Sequence, residues 1–285
     1  FSTLSYSPYK LKPMKRLTLP ARYRAANKAQ ENPYGAVVVT LLFLGAILLS
    51  ASPVFARSTA QNKPFETIDA YARACPATAK TSLDAVAIYL KKATFSDLEK
   101  ARSIYVWLTA HISYDDKSYN SGNYGDNSAE GVLRSKKAVC AGFADLYTEL
   151  GLRMGLQIKT VIGYAKGYDY TEGAGFEDSN HAWNAIEIDG KWRIFDATWG
   201  EGYGVTGAKG QLVSVKKFDA DWFDVEPEYA IFTHYPEDPA DAFLTTKLSL
   251  SEYVRLPYYT PRELYAQNKQ PYQLIADVKR TKKIP

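Results

Sequence analysis

The chain is poor in the residues that most often hold metal ions. Its 285 residues include two cysteines, Cys75 and Cys140, and three histidines, His111, His181 and His234. They are dispersed, with none of the short spacings of a zinc site, so no metal is expected. No internal repeat is visible. An excess of basic charge is lacking wherever a fold is expected. The formal net charge is +4, but residues 1–56 hold seven basic residues and one acidic residue, leaving 28 basic against 30 acidic in the remainder. A net charge of −2 there gives no support for nucleic acid as a partner.

The basic excess belongs to a region with a different reading. The chain opens on Phe1, and Met14 is a candidate start. Lys15, Arg16, Arg22, Arg24 and Lys28 precede the apolar run AVVVTLLFLGAILLSA at 36–51, which Pro53 and the ending Val54-Phe55-Ala56 follow. This order is that of a secretory signal peptide cleaved after Ala56, with an uncleaved membrane anchor as the alternative. Residues 1–56 are therefore expected to direct export to the periplasm or the exterior. Residues 57–65 read as a polar linker.

The following segment reads as helical. Leu83, Val86, Ala87 and Leu90 share one face of a helix over Thr81–Lys92. Ser96-Asp97-Leu98-Glu99 is a capping-box signature that starts a second helix, ending near Ile112, with Trp107 in the core. Residues 113–127 read as a loop, 128–134 as a short helix, and 157–166 as a strand. Residues 167–179 read as a polar excursion, and the stretch after Asp196, TWGEGYGVTGAKG, as another flexible loop. Residues 248–285 read as a C-terminal appendage.

Two stretches carry chemistry. In VCAGFADLYTELGLRMG, residues 139–155, Phe143, Tyr147, Leu150 and Met154 form one apolar helical stripe. Cys140 then sits at the helix N-terminus, where free N–H groups and the dipole stabilise negative charge, as a sulfur nucleophile requires. Ala141, Gly142 and Ala144 are small and are expected to leave room for a substrate backbone. The second stretch is NHAWNAIEIDGKWRIFDATWG. Asp189-Gly190 is a two-residue hairpin signal, which places Ile188 opposite Lys191, Trp183 opposite Asp196 and His181 opposite Thr198. His181 and Asp196 are then diagonal neighbours on one face, which suits an imidazole oriented by a carboxylate. Asn184 falls on the opposite face, and Trp183 and Trp192 are expected to wall the site. His111 reads as structural; His234 reads as buried packing, with a place near the site as the alternative.

VCAGFADLY followed by NHAWNAIEIDGKWRIFDATWG resembles the transglutaminase-like superfamily, in its bacterial and kyphoscoliosis/cytokinesis-type branch. IYVWLTAHISYDD and FTHYPEDP are further echoes, and the resemblance runs from about Thr67 to Leu244. It implies an α+β fold with a papain-like core over 66–247, a catalytic helix packed on an antiparallel sheet, and a catalytic Cys140, His181 and Asp196. It also implies acyl transfer without a cofactor, on protein or peptide amides that include cell-wall peptides. An exported member is expected to be a cysteine peptidase or amidase. A cross-linking protein-glutamine transglutaminase and a non-catalytic peptide-binding module are the alternatives.

Overall fold

The computed structural model describes residues 65–281. Residues 1–56, read above as a signal peptide, nearly all of the expected linker and the last four residues lie outside the described residues.

Helix α1, Glu66–Arg73, is followed by α2, Leu83–Lys91, which Ser82 caps through the Ala85 amide. Helix α3, Asp97–His111, starts in the expected capping box, since Ser96 and Glu99 satisfy each other's backbone N–H groups. The two-residue strand β1, Ser113–Tyr114, and the short helix α4, Asp116–Ser121, occupy the segment expected to be a loop. Asp115 explains the helix, because its side chain accepts from the Ser118 amide. Helix α5, Ala129–Ser135, and strand β2, Lys137–Ala138, lead into the central helix α6, Cys140–Met154. Gly155, at φ +85°, ends α6 in the left-handed conformation that only glycine takes freely.

Behind α6 lies a four-stranded sheet in the order β5-β4-β3-β8. Its strands are β3, Ile158–Ala165; β4, His181–Ile188; β5, Lys191–Phe195; and β8, His234–Pro236. Every neighbouring pair is antiparallel. The β4–β5 turn uses Asp189 and Gly190 at φ +50° and +75°, the two positive values of a type I′ turn. Ile188 pairs with Lys191 as expected, and the ladder continues to Asn184 opposite Phe195. There it stops. Asp196 leaves the strand to cap helix α7, Ala197–Glu201, so Trp183 does not pair with Asp196 and Thr198 is helical. The expected flexible loop after Asp196 is this helix followed by a hairpin, β6, Gly202–Thr206, and β7, Leu212–Lys216. Tyr203 and Val205 alternate with glycines, which hid the strand period.

The core forms where α6 meets α2, α3 and the sheet. Phe143, Tyr147, Leu150 and Met154 are buried there with Leu90, Trp107 and Phe195. The Tyr147 hydroxyl donates to the Ala101 carbonyl at 2.7 Å, which ties α6 to α3. Below α3 the Arg102 guanidinium donates two 2.8 Å hydrogen bonds to the buried Asp69 carboxylate. After Asp224 the chain forms α8, Pro227–Ala230, and then β8. Helices α9, Leu250–Arg255, α10, Pro261–Ala266, and α11, Pro271–Arg280, follow. Tyr253, Leu264 and Ile275 from these helices, with Leu256 just after α9, are buried with Ile231, Phe232 and Tyr235. Lys166 adds a polar tie, donating to the Leu256 carbonyl at 2.6 Å. Among the described residues no helix is long and apolar enough to cross a membrane. The architecture is α+β, with a helix-on-antiparallel-sheet core of papain-like type.

Candidate active site

Cys140 is the first residue of α6, and Val139 is its extended N-cap. Gly142 has an inward role rather than the expected outward one. A Cβ there would lie 2.8 Å from Ala138, Asn127 and Val132, so its missing side chain lets the helix start pack against α5. Cys140 is 2% exposed and lines a cleft of about 2240 Å³. Tyr114, Tyr119, Tyr168, Asn180, His181 and Trp199 line the same cleft.

His181 is the first residue of β4 and Asp196 the residue that follows β5. The His181 Nε2 lies 2.7 Å from Asp196 Oδ2. Nδ1 is then the ring nitrogen not taken up by Asp196, and Cys140, which lines the same cleft, is the neighbouring group that also favours the imidazolium. Burial alone would push the His181 imidazolium down. The Asp196 charge and hydrogen bond, with the Cys140 contact, outweigh it and raise the pKa to about 10. Burial would likewise push the Asp196 carboxyl up, but His181 and His234 hold it well below the usual carboxylate range. The pair is thus a buried imidazolium and carboxylate.

Asp196 has a second duty. Its Oδ1 accepts from the Thr198 and Trp199 amides at 2.9 and 3.1 Å, the N-cap of α7. The carboxylate that touches His181 is therefore fixed by the start of the next helix.

The structure changes the reading of His234. It is not mere packing. It is the first residue of β8, and its Nε2 lies 3.1 Å from Asp196 Oδ2, the same oxygen that His181 uses. No local period reveals this contact across 38 residues; the FTHYPEDP echo was the one available signal. His111 is structural, as expected: its ring sits 3.3 Å from the Ala72 carbonyl. Trp183 stands beside His181, with ring centres 6.0 Å apart. Trp192 is elsewhere, stacked on Phe243 at 5.0 Å. Asn180 brackets the backbone of Ala165 with two hydrogen bonds, which fixes the end of the 167–179 excursion beside the site. Asn184 faces α6, away from His181.

Donor atoms of His181, Asp196 and His234 lie within 4.8 Å of one another, near enough to hold a metal ion. Yet they point at each other in hydrogen bonds, and the remaining carboxylate oxygen is committed to two amides. A cation would have to break both imidazole contacts, so the donor set fits a hydrogen-bonded site better than a metal. Cys75 and Cys140 are both free and buried, and no disulfide joins them.

Residues 84–197 match the transglutaminase-like superfamily. This chain carries a transglutaminase-like domain. Human kyphoscoliosis peptidase is 32% identical over 196 residues, which cover 68% of this chain and 29% of that protein. Cytokinesis protein 3 of Schizosaccharomyces pombe is 26% identical over 222 residues, 75% of this chain and 24% of that protein. The chain thus spans less than a third of the length of these relatives. A crystal structure of a TGase aligns over 48% of this chain and 32% of its own, at 22% identity and a TM-score of 0.31. The match at 84–197 contains Cys140, His181 and Asp196.

Proposed function

We propose that this chain is a thiol-dependent acyl-transfer enzyme acting on protein or peptide amides, a cysteine peptidase or amidase that works outside the cytoplasm. The observation that carries the proposal is the 2.7 Å contact of His181 with Asp196 beside the cleft that Cys140 and His181 both line, with Cys140 at the N-terminus of a buried helix. The name of the human relative, a peptidase, supports the same reading. Export rests on the basic, apolar and small-residue order of 1–56.

The reaction follows from the proton inventory. The Cys140 thiolate attacks the amide carbonyl carbon, and the Cys140 backbone N–H faces the oxyanion that forms. His181, already an imidazolium, donates its proton to the departing amine as the C–N bond breaks. The products are a thioester and a neutral imidazole. Water then gives a proton to His181 and attacks the thioester, which releases the acid and restores the thiolate–imidazolium pair. Asp196 stays ionised throughout and holds the ring. A lysine amine in place of water would give a cross-link by the same steps.

Incubation of the purified protein with a peptide library tests the reading. New N-termini or released ammonia are expected, and Cys140→Ala or His181→Ala should abolish them. Adding a primary amine separates hydrolysis from transfer. Turnover that survives Cys140→Ala would overturn the proposal. The low exposure of Cys140, 2%, favours one alternative, a peptide-binding module; unmodified peptides recovered from a tight complex would establish it.

A further inference from the structure

Asp196 Oδ2 accepts two imidazole N–H groups where orientation of His181 needs only one. His181 Nε2 is 2.7 Å away and His234 Nε2 3.1 Å away. All three side chains are buried; His234 is 3% exposed. A buried imidazole is costly unless both nitrogens are satisfied, and here they are, because Nδ1 lies 2.9 Å from the Thr233 hydroxyl. The ring itself is boxed by aromatics: the centre of Trp199 lies 4.5 Å away, Trp183 5.0 Å and Trp222 5.4 Å. His234 therefore has one available orientation, with Nε2 aimed at the carboxylate.

From this geometry we infer that His234 is a positioning residue of the site, whose Nε2–H holds Asp196 Oδ2 in the orientation that His181 requires. The inference rests on the acyl-transfer reading of Cys140, His181 and Asp196. Asp196 then has no idle lone pair in use: two amides fix one oxygen and two imidazoles the other. Rotation of the carboxylate about its Cβ–Cγ bond would break four contacts at once. The charge arrangement agrees. The charged or titratable groups that face His234 are Asp196 and His181. Burial pushes the His234 imidazolium down, the Asp196 hydrogen bond and charge oppose it, and the His181 charge pushes the same way as burial. His234 is held neutral while His181 carries the proton. A neutral ring that gives Nε2–H to Asp196 must accept at Nδ1, which requires the single Thr233 hydroxyl proton to turn from the Ala230 carbonyl, 3.2 Å away, to Nδ1 at 2.9 Å.

Two substitutions separate positioning from bulk. His234→Leu removes the donor and keeps much of the volume; His234→Gln offers an amide N–H at similar reach. The readout is the rate at which iodoacetamide alkylates Cys140 across pH, which needs no substrate. At about pH 6 the Leu variant should lose about tenfold or more of the unsubstituted rate, the worth of one charge-assisted hydrogen bond. The Gln variant should recover most of it, with melting temperatures of the two variants alike. Unchanged alkylation in a folded Leu variant, or an equal loss in both variants, overturns the role of His234. If the unsubstituted protein alkylates no faster than His181→Ala, the acyl-transfer reading itself fails instead. Nitrogen-15 imidazole spectra of the unsubstituted protein give an independent result: His234 should be neutral and protonated at Nε2. Protonation at Nδ1 alone would overturn the inference.

Discussion

The side-chain amide of Asn184 donates to the Ala144 carbonyl at 3.0 Å and to the Thr148 hydroxyl at 2.9 Å. Asn184 belongs to β4, three residues after His181; Ala144 and Thr148 belong to α6, the helix that Cys140 starts. The two bonds lock the helix against the strand, and so set the sulfur against the imidazole. Thr160 of β3 joins the network at 2.8 Å from Thr148. Replacing Asn184 with Leu should leave buried polar partners unmatched and cost about 2–3 kcal/mol. For a domain of this size the melting temperature should fall by about 5–10 °C. Calorimetry checks the loss; turnover should fall further than the lost stability explains.

Asp196→Asn is expected to separate folding from chemistry. An amide can keep the Oδ1 contacts to the Thr198 and Trp199 amides, so α7 should remain. The imidazolium would lose its counter-charge, and turnover should drop by about 10²–10⁴-fold. Circular dichroism with a turnover assay tests both halves. Loss of the fold with the charge would contradict it.

The same ion pair predicts how stability varies with pH. The folded pKa of His181 is about 10, above the unfolded value of about 6.5. Its contribution is complete below about pH 6.5 and is lost as pH rises towards about 10. Asp196 is shifted the other way, so its contribution exists above the unfolded carboxyl value of about 3.9 and is lost on acidification. Urea unfolding across pH should show a decline above about pH 7 that Asp196→Asn flattens. An unchanged alkaline slope in that variant would count against the pairing.

Away from the site, Arg102 and Asp69 form a buried bidentate pair, and the guanidinium also lies 4.8 Å from the Phe223 ring centre. Removing one partner strands a buried charge. Asp69→Leu alone should cost about 3–5 kcal/mol, while Asp69→Leu combined with Arg102→Met should cost less than that. Denaturant midpoints of the variants decide the matter. A double variant as weak as the sum of the singles would show that the pair is not coupled.

Export makes a separate prediction. Protein taken from its native host should begin at Arg57 when its N-terminus is sequenced. An intact chain recovered with membranes would point to anchoring instead.

Helix α6 was legible because its apolar stripe is strict and Gly155 marks its end. The hairpin register was legible because Asp189-Gly190 fixes the turn, and with it every pair out to Asn184 and Phe195. The ladder's end was not legible. Asp196 reads as a strand residue by period, and only the competing demand of the α7 amides pulls it out of register. The contact of His234 with Asp196 was not legible for another reason: it is set by the pairing of β8 with β3, a long-range choice that no window of residues contains. Hairpin β6–β7 escaped because glycines interrupt its alternation.

Cys140, His181 and His234 each begin a helix or strand, and Asp196 follows the last residue of one. The chemical groups thus stand at the seams between rigid elements and changeable loops. Residues 167–179 run between two of those seams, from the end of β3 to His181, and are the place where length or composition can change while the seams stay put. Retargeting such an enzyme would then be a matter of new loops grafted between old anchors, with the reacting atoms left where they are.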